Sequence, residues 1–89
     1  DIFEFCRQAC LTADALISPG PAGQDAACEA GMAYAAGVPT IGLAAPTEKP
    51  GLILNRAITF WASDVPMCLR LVEQVALEAQ NRPAAPARF

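Results

Sequence analysis

Histidine is absent from the 89 residues, which removes Ser-His-Asp and Cys-His catalysis together with the commonest metal ligand. Any acid–base chemistry falls to carboxylates. Basic side chains are scarce: six Lys and Arg against nine Asp and Glu leave a net charge of −3. No basic patch is available to neutralise a phosphate backbone, so nucleic acid is excluded as a partner. No apolar run reaches the ~18 residues that span a bilayer, and Asp1 and Glu4 stand where a signal peptide has its basic region. A soluble, cytoplasmic protein without a membrane partner is expected. The chain has no Cys-x-x-Cys pair for zinc, and nothing in it implies a metal or other cofactor.

What is present is apolar and alanine-rich. Hydrophobic residues make up 54% and charged residues 17%, too apolar for a disordered segment, and the length allows one domain. We expect it over 1–81, followed by a Pro/Ala-rich tail over 82–89. Cys6, Cys10, Cys28 and Cys68 are even in number, but Cys6 and Cys10 are one helical turn apart and the others sit singly in apolar helical patterns. Reduced, buried thiols are expected.

Ile2, Phe3, Phe5, Cys6, Ala9 and Cys10 recur at helical spacing, with Glu4, Arg7, Gln8 and Thr12 mostly opposite, which predicts an amphipathic helix over 1–12. Residues 15–18 read as a short buried strand, stopped by Pro19-Gly20-Pro21. A second helix is expected from Ala26 to Ala36, with Asp25 as N-cap and Gly37 ending it. Strands follow over 39–44 and 58–61, separated by a polar loop over 47–51 and a helical turn from Leu52 to Ala57. Ser63 or Asp64 caps a last helix to about Asn81, with Pro66 in its first turn and Leu69, Val72, Val75 and Leu77 as its apolar face.

Buried strands alternating with helices predict an α/β fold with a mainly parallel sheet and helices on both faces, in three layers of the flavodoxin-like or Rossmann-like kind. Three strands are few for such a sheet and the chain opens on a helix, so an opening strand and helix are expected to be missing. Ligands of such sheets bind beyond the carboxyl ends of the strands, which points to the loops 18–25 and 44–55.

The first of these loops holds Ser18, Gly20, Gly23 and Asp25, and leads straight into a helix N-terminus. Such a junction suits a sugar phosphate or hydroxyl, although it is also an ordinary strand-to-helix connection, and it matches neither the P-loop nor GxGxxG. Glu29 is the sole charge between Ala26 and Ala36. The positive end of the helix favours a carboxylate there, as a nucleophile needs, and small neighbours admit a ring-shaped ligand. Its ordinary reading is a solvent-exposed helical glutamate. Gly31 in mid-helix costs about 1 kcal/mol against alanine, to be repaid by close packing or ligand access. Asp14 reads as a residue at the helix end or strand start, and Tyr34 and Trp61 as core or interface residues that could alternatively stack a base.

Ala13-Asp14-Ala15-Leu16-Ile17, followed by Glu29-Ala30-Gly31-Met32-Ala33-Tyr34-Ala35-Ala36-Gly37-Val38-Pro39-Thr40-Ile41, resembles the nucleoside 2-deoxyribosyltransferase family. That family has an apolar strand, a Gly-rich loop, E-x-G-x-A-x-x-x-G-x-P and a second strand, and the likeness spans roughly residues 3 to 77. The resemblance implies that Glu29 attacks C1′ of a deoxynucleoside, releasing the base. A second base then takes the sugar in the transferases, and water in the related deoxynucleoside 5′-monophosphate N-glycosidases, with the retaining logic of carboxylate glycosidases. It further implies that Ser18, Gly20 and Gly23 hold the sugar or its 5′ substituent, and that Asn55 completes a neighbouring subunit's site in a homo-oligomer; Asp25, near a family aspartate, reads first as an N-cap and second as a catalytic group. Cys6 stands where members often carry an aspartate, Gly23 where the transferases do, and Asp25 where they have glycine. Pro19-Gly20-Pro21-Ala22-Gly23 also resembles, more distantly, the PGGxGT loop of the "Lonely guy" phosphoribohydrolases, whose glutamate falls about two residues earlier. A non-catalytic nucleotide-sensing domain of the same fold is the alternative from outside enzymology.

Overall fold

The computed structural model describes residues 1–46 and 49–80, so Thr47, Glu48, Asn81 and the expected tail over 82–89 lie outside the described residues. The elements run α1 (Ile2–Thr12), β1 (Leu16–Pro19), α2 (Gln24–Ala35), β2 (Thr40–Leu43), α3 (Leu52–Ala57), β3 (Phe60–Ala62) and α4 (Val65–Gln80). The three strands form one parallel sheet in the order β1-β2-β3, with Ile17 opposite Ile41 and Gly42 opposite Trp61. This is the expected α/β architecture of Rossmann or flavodoxin-like type.

Successive strand residues point to opposite faces, and that alternation assigns the layers. Ile41 and Ala62 pack with Cys68 and Val75 of α4, joined by Leu43, Met67, Leu71 and Val72 at the edge of the cluster. Gly42 and Trp61 therefore face the other way, toward the layer of α2, which also contacts α1 and α3. The ring of Trp61 lies across Gly42: a Cβ on that glycine would sit 2.7 Å from Trp61 Cζ3. In α2 the contact residues are small, Ala30 and Ala33 being wholly buried, which lets the helix backbone approach its neighbours closely.

Helix ends follow local chemistry. Asp1 and Asp64 cap α1 and α4, each accepting from the backbone N–H three residues on, Glu4 at 2.8 Å and Met67 at 2.9 Å. α2 ends in a Schellman turn, Val38 N–H donating to Ala33 and Gly37 N–H to Tyr34, with Gly37 at φ 78°. Its start corrects the expectation from sequence. Gly23, extended at φ −83°, is the N-cap without a side-chain bond, and Asp25 lies inside the first turn rather than capping it.

Three further expectations are corrected. β3 begins at Phe60 rather than Ile58, because Ile58 is the C-cap of α3 and the Thr59 hydroxyl accepts from Thr40 N–H at 3.0 Å. The buried face of α4 is Cys68, Leu71, Val72 and Val75, while Leu69 and Leu77 are exposed. On α1 only Cys10 is buried, and Ile2, Phe3 and Phe5 stay exposed. Among the described residues no helix is long and apolar enough to cross a membrane.

Candidate active site

The carboxyl end of β1 leads through the Ser18–Asp25 loop into α2. Ser18 is buried in β1, Gly20 N–H donates to Leu43 O at 2.6 Å, and this bond ties the loop to the end of β2. α2 then runs back along the sheet with its N-terminus beside the strand ends. Glu29 lies in its second turn, partly buried, and faces α1.

Between α1 and α2 is a cleft of about 380 Å³ lined by Ile2, Phe3, Cys6, Asp25, Cys28, Glu29 and Met32. Asp25 and Glu29 are four residues apart, so they occupy one face of α2, and both reach this cleft. Their neighbours on the α1 side are apolar or thiol-bearing, and among the described residues no cation lines the cleft. The Arg7 guanidinium, which lines a neighbouring groove between α1 and α2 with Phe3, Leu11, Met32 and Ala35, is engaged with Glu4 at 2.7 and 2.9 Å.

Glu29 has one hydrogen-bond contact among the described residues: the Cys10 thiol approaches Oε2 at 3.8 Å. A thiol is a weak donor, so the carboxylate keeps most of its acceptor capacity for a ligand. Burial pushes the Cys10 thiol above its ordinary pKa, and the adjacent Glu29 carboxylate adds to the shift. Cys10 is therefore a neutral floor beneath Glu29 and not a competing nucleophile.

Of the candidate catalytic and binding residues, Glu29 and Asp25 share the cleft. Ser18, Gly20 and Gly23 belong to the loop at the strand ends and do not line the cleft. Asn55 is exposed on α3, across α2 from Glu29. It adjoins a separate groove of about 580 Å³ between α2 and α3, lined by Gly31, Tyr34, Leu52, Ile53, Arg56 and Ala57. A Cβ at Gly31 would meet nothing within 4 Å, so close packing does not explain that glycine. Asp14 is exposed before β1, Tyr34 is exposed on the groove, and Trp61 is half-buried over Gly42.

The residues that sequence reasoning missed are on α1: Cys10 beneath Glu29, and Phe3 and Cys6 on the cleft wall. Their common helical face was legible, but that this face meets Glu29 depends on how α1 packs on α2. The expectation of buried thiols holds for Cys10 and Cys68, whereas Cys6 is partly exposed and Cys28 exposed. All four are free, and no group of three or more His, Cys, Asp or Glu side chains among the described residues could hold a metal ion. Neither a family model, nor a curated protein, nor a solved structure matches the chain.

Proposed function

We propose that this chain cleaves or transfers at the N-glycosidic bond of a nucleoside or its 5′-monophosphate, with Glu29 as nucleophile, as its resemblance to the nucleoside 2-deoxyribosyltransferases implies. The observation that carries the reading is the state of Glu29: a partly buried carboxylate on the wall of a cleft, whose one hydrogen-bond contact among the described residues is a weak thiol donor.

The chemistry follows from the pair of carboxylates. Glu29 attacks C1′, the bond to the base breaks through an oxocarbenium-like transition state, and a glycosyl ester forms on Glu29. Water or a second base then attacks the same carbon. Asp25, one turn from Glu29 on the same face and lining the same cleft, is the group that gives a proton to the departing base and takes one from the incoming water. No cofactor enters the scheme. The reading also has Ser18, Gly20 and Gly23 hold the sugar end, so the ligand must reach from the strand ends into the cleft. Exposed Leu52, Ile53 and Tyr34 around the α2–α3 groove support a homo-oligomer to which Asn55 contributes.

The test is base release from a panel of deoxynucleosides and their 5′-monophosphates, followed by chromatography. Glu29→Gln should lower release by at least about three orders of magnitude while binding persists. Stability should change by only the dipole contribution, ~0.3–1 kcal/mol. Full activity in Glu29→Gln would falsify the reading. The separation of the Ser18–Gly23 loop from the cleft favours one alternative, a non-catalytic nucleotide-sensing domain: the wild-type chain would then bind the panel without releasing base.

A further inference from the structure

Cys10 is the one residue of α1 that is buried, and its sulfur meets the candidate nucleophile. The residue is 2% exposed, and Sγ stands 3.8 Å from Glu29 Oε2. Oε1 of the same carboxylate has no hydrogen-bond contact among the described residues, on a side chain that lines the cleft with Asp25. The glycosidic chemistry above gives Cys10 nothing to do beyond staying neutral. A glutamate side chain turns about three bonds, and a carboxylate free to do so must lose that freedom before it can attack. A contact that fixes the carboxylate in advance removes this cost from the reaction.

We propose that Cys10 is the positioning residue of Glu29: its S–H holds Oε2 against α1, so that Oε1 is presented to the cleft as the attacking oxygen. The geometry stands on the 3.8 Å contact, and the role of Oε1 rests on the glycosidic reading.

A thiol suits the task better than its alternatives. A strong donor at Oε2 would stabilise the carboxylate charge and cost it nucleophilicity. A thiol donates weakly, so it orients the group and leaves most of its charge in place. Alanine offers no proton. A hydroxyl on a helix turns back to its own backbone, as the Thr12 hydroxyl of α1 does by donating to Gln8 O at 2.7 Å. Burial also keeps the proton on the sulfur: desolvation first, and the Glu29 carboxylate next, raise the Cys10 pKa, so the donor persists while the carboxylate is ionised. The other titratable groups around the contact are Asp25 and Cys28 of α2 and Cys6 of α1.

The S–H stretch tests the contact directly, because it falls in an otherwise empty part of the infrared spectrum and moves to lower frequency when the proton is donated. Subtracting the spectrum of Cys10→Ala from that of the intact chain isolates Cys10 from the three other cysteines. Glu29→Gln serves for the subtraction if Cys10→Ala does not fold. The Cys10 band should lie below the free-thiol position at neutral pH, rise as pH falls through the range in which carboxylates titrate, and lose that pH dependence in Glu29→Gln. A dependence that survives in Glu29→Gln would belong to another group, and a band at the free-thiol position throughout would leave Glu29 unheld; either result overturns the proposal. In the base-release assay, Cys10→Ala should lower kcat by roughly ten- to a hundredfold with KM unchanged, the order that a misplacement of about 1 Å costs. A Cys10→Ala chain that is less stable yet turns over at the wild-type rate would make Cys10 a packing residue and overturn the role. A shifted, Glu29-dependent band in a chain that releases no base would remove the glycosidic reading and keep Cys10 as the group that holds Glu29.

Discussion

The two faces of the sheet are built on different terms. On the α4 side, Ile41 and Ala62 meet Cys68 and Val75, with larger aliphatic side chains closing the edge, so apolar area is removed from water by branched and sulfur-bearing groups. On the α2 side the contacts come from Ala30, Ala33 and the close pass of Trp61 over Gly42, while Ile2, Phe3 and Phe5 of α1 stay exposed. The amphipathic pattern that predicts burial for α1 and α4 is met in part on α4, where Val72 and Val75 pack inward while Leu69 and Leu77 stay exposed, and is left largely uncovered on α1. The tightly packed layer carries the stability, and the cleft, both carboxylates and two accessible thiols lie on the lightly packed side. A core layer excludes ligands because it is filled, and a layer of alanines leaves room for them.

The sharpest test of that division is a pair of truncations. Ile41→Ala removes a wholly buried side chain and should cost ~2–5 kcal/mol in denaturant unfolding. Phe5→Ala removes a larger side chain that is 75% exposed and should change stability by no more than ~0.5 kcal/mol. Equal losses would show that α1 is packed as tightly as the core. Next in size, Gly42→Ala drives a methyl into the Trp61 ring from 2.7 Å and into Ile58 Cγ2 from 3.0 Å. A loss of ~1–3 kcal/mol is expected, with a change in tryptophan fluorescence as the indole moves. An unchanged emission spectrum would mean that the strand, not the ring, gives way.

Smaller effects compare the two capped helices. Asp64→Ala and Asp1→Ala each delete one bond to an N3 amide, and each should cost about 1 kcal/mol of local helix stability. Only the Asp64 loss should appear in global unfolding, because α4 is joined to the core cluster and α1 can fray alone. Amide exchange separates the two cases.

The smallest effect concerns pH. Hydrogen bonds from Arg7 and then Gln8 lower the Glu4 pKa from 4.5 to about 2. A carboxyl group whose pKa is depressed by folding contributes stability above its unfolded value, and that contribution disappears as pH falls through the folded value. The α1 helix should therefore lose order between about pH 4.5 and 2, and Glu4→Gln should flatten that part of the titration. The group is fully solvated, so salt should weaken the effect.

Much of the fold was legible because its signals are local. The α3 span was read to the residue, and the strands and long helices to within a few. The parallel order also followed, since strand–helix–strand connections keep strands parallel. The misreadings share a cause. Asp25 has the chemistry of an N-cap, yet the helix begins earlier because Gly23 supplies the extended turn. Ile58 and Thr59 have β-strand propensity, yet α3 takes one as its C-cap, and Thr59 offers its hydroxyl to Thr40.

The sequence by itself determined which segments are helix and strand, that the strands are parallel, and that Glu29 stands alone as a charge among small residues. Periodicity, caps and glycine breaks act within a few residues along the chain, and they need no knowledge of what lies across the molecule. Only the tertiary structure decided that Glu29 faces the Cys10 thiol, that Asp25 shares its cleft while Ser18, Gly20 and Gly23 do not, and that two of four thiols remain accessible. Those facts depend on the rotation and depth at which α1 packs on α2. An amphipathic pattern marks the side of a helix that prefers to leave water, but how much of that side is covered is set by the partners the fold supplies.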